Sequence, residues 1–321
     1  MEDFKKYTVV ASGKMRDVAF AKLDETVNLL GWQKGGKIPA DEFDKRLAEA
    51  DALFSTGNIK INEELLAKAP KLKVIAQASV GYDNIDIEAC NAHGVLVGNT
   101  PGVLVDAVAD LAYGLLIDSA RHIVRAHEFV KNGLWGERKP FGLTTDLAGK
   151  TLGIVGMGDI GSAIAARAQV SKMKVIYNNR HRREDDAKTG AQYVDFSTLL
   201  AEADFIVLAV TLNPSTKNLF NAEVIAKLKP TAALINISRG AVVDTDALYD
   251  ALLNGKLAYA AMDVTSPEPL PGEHKLLTLP NVTVTPHMAS ATVETRDAMA
   301  LLTVDNILAG LEGKTMPARV K

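Results

Sequence analysis

From residue 151 to 165 the chain reads TLGIVGMGDIGSAIA: a short apolar strand, a glycine turn and the start of a helix in direct succession. Leu152, Ile154 and Val155 supply the strand. Gly156, Gly158 and Gly161, with Met157, Asp159 and Ile160 between them, complete G-x-G-x-x-G, and Ile160, Ile164 and Ala165 begin a helical spacing. In this setting each glycine has its own use: the first permits a tight turn, the second lets backbone approach a pyrophosphate, and the third lets the helix pack close to the strand. The free N–H groups of the helix's first turn then face the anion. A glycine turn without a ligand is the competing reading, and the strand before it and the helix after it argue against that.

A chain of 321 residues is too long for one ordinary core and points to two domains. The net charge of −3 offers no general attraction to nucleic acid or to an anionic membrane. Cys90 is the single cysteine, so no internal disulfide or cysteine-rich zinc site is available, which fits a reducing cytoplasm. The opening MEDFKKYTVV lacks the apolar run of a signal peptide, and the longest apolar stretch, 111–117, is bracketed by Asp110 and Asp118. Neither export nor membrane insertion is expected.

Ahead of the glycine turn the pattern predicts strands at 7–11, 52–55, 74–78 and 95–97, with helices at 18–30, 41–50 and 61–69 between them. That alternation describes a parallel sheet covered on both faces, without a glycine fingerprint of its own. Residues 103–131 then read as one long apolar helical stretch, expected to be kinked or split and to serve as a domain connector or a subunit interface. His122 and His127 lie on it, five apart and without a cysteine or carboxylate at ligand spacing; they read as structural, and no metal is expected. Beyond the fingerprint, apolar strands recur at 175–178, 205–210, 232–237, 259–264 and 282–285, six with the first, and a final helix spans 292–309 and ends at Gly310. The expected fold class is α/β with two doubly wound parallel-sheet domains, one flavodoxin-like and one a Rossmann dinucleotide-binding domain.

In such folds function lies just past the carboxyl ends of the strands. Three ionisable residues stand there: Arg239 after the strand ending at 237, Glu268 in Ser266-Pro267-Glu268-Pro269, and His287 after Thr285-Pro286. Together they are the parts for reducing a carbonyl beside a carboxylate. Arginine binds the anion and polarises the C=O, histidine supplies the proton, and the carboxylate holds the imidazole in one tautomer. Each alone is ambiguous, since an arginine after a strand is usually a surface ion pair and a histidine after proline often only a turn; their convergence carries the argument.

NISRG at 236–240, DVTSPEPLP at 263–271 and TPHMASAT at 285–292 resemble the signatures of the D-2-hydroxyacid dehydrogenases, over nearly the whole chain. With SVGYDNID at 79–86 and NGLWG at 132–136, the resemblance is greatest to the glyoxylate/hydroxypyruvate reductase branch. It implies that Arg239, Glu268 and His287 are the catalytic triad. Ser79, Val80 and Gly81 would bind substrate, the last two through a backbone N–H pair on its carboxylate, and Asp263 would face the nicotinamide amide. Thr211, Ile237 and Ser290 join the expected cofactor contacts. A discontinuous substrate domain, 1–100 plus 293–321, around a dinucleotide-binding domain, 101–292, and a homodimer built on the long helix are also implied. Two positions depart from the family: Ala289 stands where glycine is frequent, so the loop beside the nicotinamide is expected to be slightly tighter, and Asp110 stands where glutamate is usual.

A strict NAD fingerprint wants a carboxylate about 20 residues after the glycines, on the adenosine ribose. Here the second strand ends in Asn178-Asn179 and runs into Arg180, His181, Arg182 and Arg183. With no carboxylate to repel it, a 2′-phosphate would be held by Asn179 and Arg180, so NADPH is expected to be preferred, with NADH usable. The competing reading is a solvated basic turn neutralised by Glu184, Asp185 and Asp186. The resemblance thus implies NADPH-dependent reduction of glyoxylate and hydroxypyruvate to glycolate and D-glycerate. Alternatives are a reductase of a longer sugar acid such as 2-ketogluconate and, in another class, a nucleotide-sensing protein related to the C-terminal-binding co-repressors. Trp135 has two readings: a packing residue of its own subunit or, by the resemblance, a wall of the partner's substrate cleft.

Overall fold

The computed structural model describes residues 4–34, 38–185 and 189–320. The chain divides into two compact units, Met1–Leu104 with Ala291–Lys321, and Val105–Ser290. In the first, β1 (Thr8–Ala11), α1 (Asp17–Thr26), β2 (Asn28–Leu30), α2 (Ala40–Leu47), β3 (Ala52–Ser55), α3 (Glu63–Ala67), β4 (Val74–Gln77), α4 (Ile87–Ala92) and β5 (Leu96–Gly98) follow in turn. The described strands form a parallel sheet in the order β2-β1-β3-β4-β5, the flavodoxin-like doubly wound arrangement.

Adjacent residues of a strand face opposite sides, and this sheet uses both. Val9, Phe54 and Val74 pack on one face with Val304 and Ile307 from the far end of the chain. Val10, Leu53 and Ile75 pack on the other with Leu47, Leu66 and Cys90. Burial pushes the Cys90 thiol up to about 11, so it is a packing group rather than a nucleophile. Val304 and Ile307 are fully buried and contribute about 1.5–3 kcal/mol each by area burial. The C-terminal segment is therefore part of this core.

One element of this unit differs from the sequence pattern, which carries the first helix to residue 30. The structure ends α1 at Thr26 and opens β2 at Asn28, whose N–H donates to the Tyr7 carbonyl. The β-branched pair Thr26-Val27 followed by asparagine is a weak helix sequence, and pairing with β1 satisfies the backbone instead.

The second unit begins with α5 (Val105–Arg121) and α6 (Ile123–Lys131), then alternates through β6 (Thr151–Val155), α7 (Asp159–Val170), β7 (Lys174–Asn178), β8 (Gln192–Tyr193), α8 (Phe196–Glu202), β9 (Phe205–Leu208), α9 (Ala222–Ile225), β10 (Ala233–Asn236), α10 (Thr245–Leu253), β11 (Tyr259–Met262) and β12 (Val282–Val284). The sheet order is β12-β11-β10-β9-β6-β7-β8. Numbered from the glycine-turn strand this is 3-2-1-4-5-6 with a seventh strand at one edge, the Rossmann order with its switch point between β6 and β9. The sequence pattern yields six strands and misses β8, which is two residues long and leaves no periodic signal.

The long apolar stretch is split, as its length suggested. His122 takes a left-handed conformation (φ 52°) between α5 and α6. Asp118, almost fully buried, accepts the Val124 N–H at 2.8 Å, the Thr283 hydroxyl at 2.6 Å and the Tyr259 hydroxyl at 3.2 Å. That carboxylate caps the new helix and ties the break to the sheet. The His122 ring stacks on Tyr259 with centroids 5.0 Å apart, the structural role expected of it. The last helix, α11 (Val293–Leu311), belongs to the first unit; it runs through Gly310 rather than stopping there, because Gly310 and Leu311 are buried in that unit's core.

Candidate active site

β10, β11 and β12 are neighbours in the sheet, with Asn236, Met262 and Val284 in register. Parallel strands lie about 4.8 Å apart, so the segments leaving their carboxyl ends are side by side. Arg239, Glu268 and His287 sit on those segments. The His287 imidazole meets Glu268, Nδ1 to Oε1, at 2.6 Å, and the other carboxylate oxygen accepts the Thr265 N–H at 3.2 Å. An ionised carboxylate can only accept, so Nδ1 carries the proton of that bond and Nε2 is left to face a substrate. Both side chains are partly exposed, 46% and 39%, which leaves room for a reacting molecule.

His287 itself has φ 52°, uncommon for a residue other than glycine. Asp263, only 1% exposed, explains how the loop is held. Its Oδ1 accepts the Thr285 hydroxyl at 2.5 Å and the Met288 N–H at 2.9 Å, its Oδ2 accepts the Ala289 N–H at 3.0 Å, and its carbonyl accepts the His287 N–H at 2.8 Å. The carboxylate is thus committed to the histidine loop, a role that the sequence did not suggest for a residue expected at the nicotinamide. Ala289 takes part through its N–H and is buried.

Arg239 is extended, and its Nη1 donates to the Ser238 carbonyl at 2.9 Å. The turn that presents it is tied by the buried Asn236, whose amide donates to the Arg239 carbonyl at 3.0 Å while its oxygen accepts from the Ser238 N–H and hydroxyl. Gly240 lets this turn lie against the glutamate loop: a Cβ there would fall 1.9 Å from the Thr265 carbonyl oxygen. Asn236 is a positioning residue that pattern reading passes over, because a polar residue ending an apolar strand looks like the start of a loop.

At the glycine turn, Gly156 has φ 101° and an added Cβ would lie 2.5 Å from the Ala209 carbonyl oxygen, whereas nothing lies within 4 Å of one at Gly158. The turn is closed on the sheet side and open beyond. α7 starts at Asp159 with no side-chain cap on its first turn, so Gly158 to Gly161 offer backbone N–H groups of the kind that hold a pyrophosphate. The residues present fit a dinucleotide.

The basic turn is more constrained than its composition suggested. Asn179 Oδ1 accepts the Met157 N–H at 2.6 Å, and Arg183 donates to the Met157 carbonyl at 2.8 Å while pairing with Asp185 at 2.8 Å. These two side chains fasten the glycine loop to the end of β7. Arg180 is exposed and has no hydrogen bond or ion pair among the described residues. Of the acids expected to neutralise this turn, Asp185 pairs with Arg183, and Asp186 lies outside the described residues. Thr211 and Ile237 follow the carboxyl ends of β9 and β10. Ser290 closes the histidine loop at the edge of this unit.

In the first unit, Ser79, Val80 and Gly81 follow β4. Gln77, 1% exposed at the end of that strand, donates to the Gly81 carbonyl at 2.7 Å, the Ser79 hydroxyl at 3.0 Å and Asn84 Oδ1 at 2.8 Å. Asn99 donates to the Val80 carbonyl at 2.9 Å. The loop's carbonyls are taken, while among the described residues the N–H groups of Val80 and Gly81 have no acceptor. Two adjacent donors of this kind are a pair that an anionic group can occupy. Gln77 organises it, so Gln77→Leu is expected to raise KM for a 2-keto acid by roughly tenfold, the cost of loosening a buried hydrogen-bond cluster, with a smaller change in kcat; steady-state kinetics check this, and an unchanged KM would show that the loop needs no such anchor.

Trp135 is 71% exposed. Its side chain is not packed into the surface of this chain, whereas the packing reading expected it to be. Among the described residues no group of three or more His, Cys, Asp or Glu side chains is placed to hold a metal ion, and no helix is long and apolar enough to cross a membrane. Asp110 joins Asp106 in pairing with Arg167 on α7, at 2.7 and 3.0 Å.

The family model described as the D-isomer specific 2-hydroxyacid dehydrogenase NAD binding domain matches residues 113–289. The chain is 47% identical over 292 residues to a glyoxylate reductase of Thermococcus litoralis, covering 89% of this chain and 88% of that one. It is 44% identical over 294 residues to a human glyoxylate reductase/hydroxypyruvate reductase, covering 90% of each. Among solved structures, an NADPH-dependent glyoxylate/hydroxypyruvate reductase from Sinorhizobium meliloti in complex with NADP and malonate superposes with a TM-score of 0.87 at 33% identity, over 98% of this chain and 97% of that one.

Proposed function

Since the chain belongs to the D-isomer specific 2-hydroxyacid dehydrogenase family, and is an NAD(P)-dependent dehydrogenase, we propose that it reduces glyoxylate and hydroxypyruvate to glycolate and D-glycerate with NADPH as the preferred donor. The observation that carries the reading is the 2.6 Å contact between His287 and Glu268 with Arg239 on the next strand end, in a chain whose relatives are named glyoxylate reductase or glyoxylate reductase/hydroxypyruvate reductase. A bound dihydronicotinamide supplies the hydride. The chain's own residues do the rest: the Val80 and Gly81 N–H groups take the carboxylate, Arg239 polarises the keto oxygen, and His287 Nε2 delivers the proton to it while Glu268 keeps the imidazole oriented. The test is a panel of 2-keto acids, glyoxylate, hydroxypyruvate and 2-ketogluconate, run with NADPH and with NADH. Highest kcat/KM with the two short acids supports the reading; preference for 2-ketogluconate, or no turnover of any, overturns it.

The case for NADPH rests on Arg180, uncommitted after a strand end without a carboxylate. Asn179 contributes by holding the glycine loop. Arg180→Ala is expected to lower kcat/KM with NADPH by roughly tenfold or more, the worth of a charge-assisted contact, with far less effect on NADH. Equal losses with both cofactors would assign Arg180 to the solvated surface.

A homodimer is part of the same proposal. Ile123, Val124, Val130, Trp135 and Leu143 are all exposed on the chain alone, an apolar run of the kind that a partner covers. Trp135 would then wall the partner's substrate site, its indole N–H meeting the hydroxyl that hydroxypyruvate has and glyoxylate lacks. Trp135→Ala should lower kcat/KM for hydroxypyruvate more than for glyoxylate while the dimer persists in gel filtration; equal changes for both would remove it from specificity. A cytoplasmic setting completes the proposal, supported by the lone buried cysteine.

A further inference from the structure

The first unit holds a cavity of about 370 Å³ that none of these roles uses. It opens at the carboxyl ends of β3 and β4, where Phe54, Thr56 and Ala78 line it, and α11 closes it with Arg296 and Met299. Ligands of doubly wound sheets bind at that end. Ala78 directly precedes the Ser79–Gly81 loop, so the cavity adjoins the loop that takes the keto acid's carboxylate.

Its charges do not balance. Lys14, Arg16 and Arg296 line it against Asp17, and Arg16 is matched by Asp297 at 2.6 Å. Lys14 and Arg296 have no hydrogen bond or ion pair through their side chains among the described residues. Arg296 is in an unfavourable position on three counts. It is half-buried, and desolvation pushes its pKa down with no acid to oppose the shift. It stands in the first turn of α11, where the helix dipole disfavours a cation. And it lacks the counter-ion that a buried guanidinium ordinarily has. An anion from outside the chain would relieve all three.

We infer that this cavity is an anion subsite of the substrate-binding unit, in which Arg296, assisted by Lys14, receives a second anionic group at the far end of a 2-keto acid longer than glyoxylate. The inference rests on the 2-keto acid reductase reading above and names a substrate class for it: acids whose second carboxylate or phosphate is separated from the keto carbon by a short carbon stem. Phe54 and Met299 give that stem an apolar wall, and Thr56 adds a hydroxyl.

The test compares 2-oxoglutarate with 2-oxohexanoate, which has a chain of similar length and no second charge, alongside glyoxylate, using the NADPH holoenzyme. The wild type should favour 2-oxoglutarate. Arg296→Gln should lower the kcat/KM ratio of 2-oxoglutarate to 2-oxohexanoate by roughly tenfold or more, the worth of a charge-assisted hydrogen bond, and Arg296→Lys should restore part of it. The Tm of Arg296→Gln should stay level or rise, because an unpaired cation has been removed; a structural arginine would lower it. An unchanged ratio, or a wild-type preference for 2-oxohexanoate, overturns the subsite. Absence of glyoxylate turnover in the wild type would instead count against the proposed reaction, and calorimetric titration of the holoenzyme with inorganic phosphate then decides the subsite by itself: binding weakened roughly tenfold or more in Arg296→Gln upholds it, and equal binding overturns it.

Discussion

His287→Ala is expected to lower kcat with glyoxylate by roughly 10²- to 10⁴-fold, the usual worth of a positioned general acid, while NADPH still binds. The two effects separate because the imidazole follows β12 and the glycine turn follows β6, at positions with no shared side chain. Alanine also changes the backbone preference, since His287 has φ 52°, in a left-handed region that histidine enters more readily than alanine. His287→Asn controls for this. Asparagine accepts that conformation more readily and has no proton to give, so it should lose as much turnover as alanine while keeping the wild-type Tm. Stopped-flow turnover and a fluorescence titration of NADPH check both halves. Near-normal kcat in either variant would sink the assignment of His287 as the proton donor.

Arg239→Lys should also fail, by roughly 10²- to 10³-fold in kcat/KM, the range seen when a donor to a developing oxyanion is removed. The charge is kept, so the expectation rests on shape. One arm of the guanidinium is held by the Ser238 carbonyl at 2.9 Å, which aims the plane of the fork. An ammonium has no second arm: it either keeps that anchor or reaches the keto acid. Kinetics within threefold of wild type would mean that Arg239 acts as a point charge only. Partial recovery on adding guanidinium ion would locate the loss in the missing fork rather than in a misfolded turn.

The strand-end positions of Arg239, Glu268 and His287 and of the glycine turn were legible in the sequence because each follows an apolar strand, and strand ends are what hydrophobic patterning marks. Sheet adjacency was not legible for the same residues. Nothing in the spacing of Arg239, Glu268 and His287 shows that β10, β11 and β12 are neighbours; that came from the fold class. The groups that hold the site in place escaped in that role, Asp263 having been expected only at the nicotinamide. Gln77, Asn236 and Asp263 are buried polar residues at strand ends whose partners lie on backbone that was not yet placed, and a sequence shows a donor without showing what accepts from it. Asn179 and Arg183 were visible as parts of a basic turn, but their bonds to Met157 depend on how the glycine loop folds back on β7. β2 was lost because the pattern of the first helix carries on to residue 30 and takes it in, and β8 because a two-residue strand leaves no periodic signal.

The first unit's core joins strands encoded early to a helix encoded last, and this bears on how the protein is made. By the time the ribosome has delivered residue 104, all five strands of that sheet exist, yet the face made by Val9, Phe54 and Val74 awaits Val304, Ile307 and Leu311. The whole of the second unit is synthesised in between. The unit that begins first is therefore completed last. Throughout translation of the Rossmann unit, the nascent chain carries an apolar sheet face covered only in part, by Ala19 and Leu23 of α1, the kind of surface that chaperones recognise and that early release or a C-terminal truncation would leave open to aggregation.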